Sequence, residues 1–186
     1  MDRLHVALIS LCLGWGLAQL TEFIKNKSKI KQLKKAISTE LSDLEILLTE
    51  RKSTAKNSAL QYGQNGNYSC SLGAPISSPV LDAYYHEVAE SFTAEQRYNI
   101  RVFRDHVRAY NSIVEWVERL GSKSATQNEV VFKLFEAYKQ SAFAHEYIKA
   151  ANSVGGYQKI GDDHEALETL REDFKKLTPQ LAWKNS

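Results

Sequence analysis

Residues 10–35 read SLCLGWGLAQLTEFIKNKSKIKQLKK. An apolar run punctuated by small residues passes directly into six lysines, Lys25, Lys27, Lys29, Lys31, Lys34 and Lys35, with no acid among them. Upstream, Leu4 to Leu20 holds no Asp, Glu, Lys or Arg over 17 residues, which is near the shortest helix that spans a hydrocarbon core. Phe23 and Ile24 extend the run to about 20 residues. Three environments compete for this stretch. A secretion signal is suggested by the small residues of Gly16-Leu17-Ala18. Against cleavage, Asp2 offsets Arg3 in the opening segment, and a mature chain beginning in dense lysine resists translocation. A soluble core helix would have to hide apolar surface on every side, beside a cationic turn. The expectation is a retained transmembrane anchor over residues 1–24.

The lysines also predict orientation. Positive charge stays on the cytoplasmic side, so the N-terminus is expected outside and the remainder of a single-pass protein inside. Each lysine near an anionic leaflet adds on the order of 1 kcal/mol of attraction. Ser10, Gly14 and Ala18 recur every four residues and form one helical stripe. Small residues there let a second helix approach closely, a face for association in lipid.

Net charge over the 186 residues is +2, and the six collar lysines supply +6 of it, so the rest of the chain carries −4. Glycine (9) and proline (3) are scarce and strand-like alternation is absent, which favours helices. The two cysteines, Cys12 and Cys70, lie in unlike surroundings and do not suggest a disulfide framework.

After the collar, Ile30, Leu33, Ile37, Leu41, Leu44 and Leu48 step by threes and fours. This predicts a basic juxtamembrane and coiled-coil helix over 25–52, continuous with the anchor. Residues 53–77 are rich in Ser, Asn and Gly and read as a polar loop; Asn67-Tyr68-Ser69 within it matches a glycosylation acceptor. Residues 78–186 read as a cytoplasmic helical bundle. Ser78-Pro79 opens one helix, Thr93-Ala94-Glu95-Gln96 and Thr126-Gln127-Asn128-Glu129 are capping boxes for two more, and Asp162 or Asp163 caps a last one. The predicted fold is all-α: an N-terminal transmembrane helix continuing into an antiparallel, coiled-coil-like bundle.

Little in the sequence points to catalysis. No nucleotide-binding loop, nucleophile elbow or zinc pattern is present, and no cofactor or metal is expected. His86 and Glu90 share a helical face, but nothing supplies a further ligand. Arg97, Arg101, Arg104 and Arg108 also share a face, expected to be solvated or salt-bridged. Tyr84, Tyr85, Tyr98, Tyr110, Tyr138 and Tyr147 are expected in the core. The stretch Arg101-Val102-Phe103-Arg104-Asp105-His106 resembles the signature of the HEPN ribonucleases. That resemblance implies a dimeric helical bundle in which Arg101 and His106 cleave RNA. It covers six residues, Val102 stands where the family usually has a polar residue, and on a helix the two side chains lie about 140° apart.

The leading expectation is therefore a membrane-anchored oligomeric scaffold or partner-docking subunit without evident catalysis. Its partners are membrane lipid and either a second copy or another protein. Nucleic acid is disfavoured because no aromatics interleave the lysine collar. The alternatives are the HEPN-like ribonuclease and a small oligomeric pore or effector.

Overall fold

The computed structural model describes residues 3–65, 71–120, 125–153, 156–160 and 164–177. The side chains of residues 3–7, 9, 64–65, 174 and 176–177 lie outside that description. The expected caps Asp162 and Asp163, the acceptor at Asn67, and Cys70 also lie outside it. The described residues form five α-helices: α1 (Arg3–Asn65), α2 (Pro79–Val88), α3 (Ala94–Glu118), α4 (Gln127–Asn152) and α5 (Glu165–Leu177). A short 3-10 turn, Ala89–Ser91, joins α2 to α3. Among the described residues there is no strand, and the all-α expectation holds.

The first helix is longer than its sequence suggests. Its 63 residues extend about 95 Å at 1.5 Å per residue. The polar loop expected over 53–77 is thus corrected, since helix continues to Asn65. The apolar seam does not stop at Leu48; it changes size. Ala55, Ser58 and Ala59 are all buried, and Ser58 donates to the carbonyl of Ser71 (3.4 Å), where the chain returns along the helix. The residues that looked like loop composition are the close-packed end of a helix.

The rest of the expected loop includes an ordered strap. Residues 71–78 climb back along the bundle, burying Leu72 and Ile76. Tyr110 Oη donates to the Leu72 carbonyl (2.8 Å), as does Arg51 Nη1 (3.2 Å). Asn111 bonds both the N–H and the C=O of Ile76 (2.8 and 2.7 Å). Gly73 turns the strap with φ +76°, where a Cβ would run into the Arg51 guanidinium. These bonds satisfy backbone groups that have no ladder or helix partner.

α2 then runs antiparallel to α1, and Glu40 of α1 caps it. The Glu40 carboxylate accepts from Val80 N (3.0 Å) and Leu81 N (2.6 Å). Ser78 instead directs its hydroxyl to Asp82 (3.1 Å). The Thr93 capping box forms in full with Gln96, whereas at Thr126 the hydroxyl accepts from Glu129 N. α3 runs parallel to α1 and α4 antiparallel to both, with α4 packed on α1 and on α3. Leu134, Ile148, Ile100, Phe103 and Tyr110 are fully or almost fully buried. α5 lies at the α1–α4 edge through Leu170 and a buried polar cluster.

Two core phenols give the fold a predicted alkaline limit. Burial pushes Tyr110 up to about 12, against slight relief from Arg51. Burial first, then the Asp173 carboxylate, raises Tyr138 well above the ordinary phenol value. A group whose folded pKa is raised keeps its proton after the unfolded chain has lost it near pH 10. Stability is therefore full below about pH 10 and falls as pH climbs toward 12. Each unit of difference is worth about 1.4 kcal/mol. The urea midpoint is expected to drop across this window, and Tyr110→Phe to drop less steeply. An equal slope in both proteins would remove Tyr110 as a source.

Candidate functional site: a protruding apolar helix and an arginine cleft

Residues 10–29 are exposed on every side of α1. Leu11, Leu13, Trp15, Leu17, Leu20, Phe23 and Ile24 are 55–71% exposed, whereas each large apolar residue of the seam below is buried or packed on the core. At 100° per residue these side chains surround the helix except for one sector. That sector holds Ser10, Gly14 and Ala18, and a Cβ at Gly14 would meet nothing within 4 Å. Thr21 turns its hydroxyl back to the Leu17 carbonyl (2.8 Å), which satisfies it without solvent.

Among the described residues, no helix is long and apolar enough to cross a membrane. The expected span of residues 1–24 begins at residues 3–7 and 9, whose side chains lie outside the description. The run from Ser10 to Ile24 measures about 22 Å, short of the ~30 Å hydrocarbon core. The transmembrane part of the expected fold is therefore not supported by the described helices.

The lysine collar divides into two groups. Lys25, Lys27, Lys31 and Lys35 are exposed. Lys29 pairs with Glu87 of α2 (2.7 Å), and Lys34 donates to the Ser91 carbonyl (2.5 Å) while covering the Phe92 ring. The hydrogen bond to Glu87 raises Lys29 above its ordinary value, and the same contact lowers Glu87. These two lysines clasp the α2–α3 connection to α1, so the bundle begins about one helical turn beyond the apolar run.

A second feature lies on the outer face of α3. Arg97, Arg101, Arg104 and Arg108 line a cleft of about 640 Å³. Tyr85 of α2, Tyr98 of α3 and Tyr157 supply its aromatic walls. Arg104 pairs with Asp82 (2.6 Å) and Arg108 with Asp105 (3.0 Å). Arg97 donates to the Phe92 carbonyl (2.7 Å). Arg101 lies over the Tyr98 ring, 5.8 Å from its centroid, and Tyr98 meets Tyr157 edge-on at 5.4 Å. Burial raises the Tyr85 phenol, and Arg97 and Arg104 oppose the shift, which places both cations near it. The face expected to be solvated or salt-bridged is both: Arg104 and Arg108 are ion-paired and Arg97 and Arg101 are exposed. Tyr85 and Tyr98 are half-buried cleft walls and Tyr84 is exposed; Tyr110, Tyr138 and Tyr147 are buried as expected. Periodicity assigned Tyr85 and Tyr98 to the core, and Tyr157, lying beyond a Gly-Gly pair, carried no signal.

Arg101 and His106 do not meet within one chain. His106 turns toward α4, stacking on Tyr147 (5.5 Å) and meeting Phe143 edge-on (5.3 Å). Gln140 donates to Glu136 (2.6 Å), leaving its oxygen to accept from His106 Nδ1 (2.7 Å). The imidazole serves helix packing while the guanidinium faces the cleft. His86 and Glu90 are both exposed, and among the described residues no group of three or more His, Cys, Asp or Glu could hold a metal. Comparison of the chain with protein-family models, curated proteins and solved structures gives no match.

Proposed function

We propose that this chain is a membrane-anchored helical bundle acting as an oligomeric scaffold or partner-docking subunit, with α1 as both anchor and stalk. The observation that carries the reading is the exposure of Leu8, Leu11, Leu13, Trp15, Leu17, Leu20, Phe23 and Ile24 around a stretch of α1 that is exposed on every side. Each such side chain gains about 1.5–3 kcal/mol on leaving water, so the segment favours an apolar medium by on the order of 10 kcal/mol. Lipid fits this all-round pattern better than a partner helix, which would cover one stripe. Leu4, Val6, Ala7 and Ile9 lengthen the run, and a short span is accommodated by local thinning at modest cost. The exposed lysines then meet the cytoplasmic headgroups, with the N-terminus outside and the bundle inside. In lipid, the Ser10–Gly14–Ala18 sector is the face where a second copy packs.

The test is the fate of full-length protein after cells are lysed without detergent and centrifuged at high speed. It is expected in the pellet, resistant to high-salt washing, and as an oligomer after extraction. Gly14→Leu is expected to reduce that oligomer toward monomer. Protein found in the supernatant would end the anchoring reading, and a monomeric extract would end the scaffold.

A further inference from the structure

Four guanidiniums along one stripe repel one another unless something counters them. Asp82 and Asp105 counter Arg104 and Arg108. At the other end of the cleft, Arg97 spends one N–H on a carbonyl and Arg101 rests on an aromatic face. Neither forms an ion pair among the described residues. Glu95 feels the charge of Arg97, but its carboxylate bonds to Thr93 and to its own backbone. The excess positive charge is therefore concentrated at Arg97 and Arg101, beside Tyr98 and Tyr157.

We propose that the Arg97–Arg101 end of this cleft binds a phosphate monoester carried on a ring-shaped polyol. Two guanidiniums one helical turn apart straddle a tetrahedral dianion, and each fork presents two parallel N–H donors to its oxygens. Tyr157 is exposed at the cleft and supplies the aromatic wall beside the carbon ring, while Tyr98 backs the Arg101 guanidinium. The volume suits a ligand of this size, and the exposed arginines leave the mouth open. Arg104 and Arg108 lie farther along the same stripe, where a second phosphate on the ring would compete with Asp82 and Asp105 for them.

The same chemistry reaches the cleft from two sources. One is a free phosphorylated polyol. The other is a lipid headgroup: Arg97 lies next to Phe92, which Lys34 covers, and Lys34 is about 14 Å along α1 from Lys25. The lipid source rests on the anchoring reading, and the free source does not.

Full-length protein, detergent-extracted if it pellets, is titrated with inositol 1,4,5-trisphosphate by calorimetry. It is also floated with phosphatidylcholine vesicles holding phosphatidylinositol 4,5-bisphosphate or charge-matched phosphatidylserine. Saturable binding of the free trisphosphate supports a soluble ligand. Preference for the bisphosphate lipid over phosphatidylserine, without free binding, supports a headgroup. In either arm Arg101→Gln is expected to weaken binding about tenfold or more, while Lys149→Gln on exposed α4 surface leaves it unchanged. Arg101 is exposed, so an unaltered melting curve shows that the variant folds. Absence of binding in both arms, or equal loss in the two variants, overturns the proposal. A soluble protein that still binds the free trisphosphate through Arg101 separates this site from the anchor.

Discussion

Removal of residues 1–24 is expected to move the protein from the membrane pellet to the supernatant while the bundle's thermal midpoint stays unchanged. The two halves of this result have separate causes. Leu8 and the large apolar residues from Leu11 to Ile24 are exposed, so their loss removes no packing on the bundle. The first core contacts are made by Ile30 and Leu33, and full burial starts at Ile37. The clasp of Lys29 and Lys34 on the α2–α3 connection survives the truncation. What is lost is a transfer term on the order of 10 kcal/mol. The four exposed lysines left at the new end supply about 1 kcal/mol each near an anionic surface, an attraction that salt screens. Residual pelleting should therefore vanish in high salt. A truncated protein that still sediments in high salt would place the membrane contact in the bundle. A large drop in midpoint would mean that the segment packs on the fold.

Lys56→Met is expected to destabilise the docking of α5 by about 3 kcal/mol, the order found when one partner of a buried pair is removed. Lys56 Nζ meets Asp173 Oδ2 at 2.5 Å, and the Tyr138 hydroxyl donates to the same oxygen at 2.9 Å. The Asp173 side chain is only 6% exposed, while Lys56 is 36% exposed. Loss of the ammonium puts a thioether where the cation stood and leaves the buried carboxylate to its remaining partners, the Tyr138 hydroxyl among them. Loss of the carboxylate leaves a lysine that reaches water. Asp173→Asn should accordingly cost less, about 1 kcal/mol. α5 is 13 residues long, too short to hold helix by itself in water, and among its described side chains Leu170 is buried and Leu167 packs on the core. Amide exchange over residues 165–177 is expected to accelerate in Lys56→Met while α3 and α4 keep their protection. Equal costs for the two variants would show that the pair acts through packing, not charge.

The apolar steps of 3 and 4 from Ile30 to Leu48 announce a helix, and those side chains form the core as expected. The capping residues Thr93 and Thr126 mark two helix starts for a local reason: each hydroxyl bonds an N–H three residues on. The end of α1 was not legible. Ala55, Ser58 and Ala59 resemble a loop in composition, and only packing by residues distant in sequence, such as Ser71 on Ser58, buries them. The strap over 71–78 was equally hidden, because Arg51, Tyr110 and Asn111 hold it from far along the chain. α4 carries buried residues over a wide arc, from Tyr147 round to Ala142, because α1 and α3 cover it on both sides. No single narrow seam could signal that.

The candidate sites divide in the same way. Local spacing alone assembled the lysine collar, the apolar run and the arginine stripe, since helical period places residues on faces wherever the helix goes. Neighbours decided what each face does. Two lysines became clasps because Glu87 and Ser91 arrive beside them, and His106 became a packing residue because α4 supplies Gln140 and Tyr147. Arg101 became part of a cleft because Tyr157 returns after the last turn of α4. Period and composition by themselves determined that this chain is helical and which side chains share a surface. Which surfaces are covered, clasped or left open depended on contacts between residues tens of positions apart, and those exist only once the helices have packed.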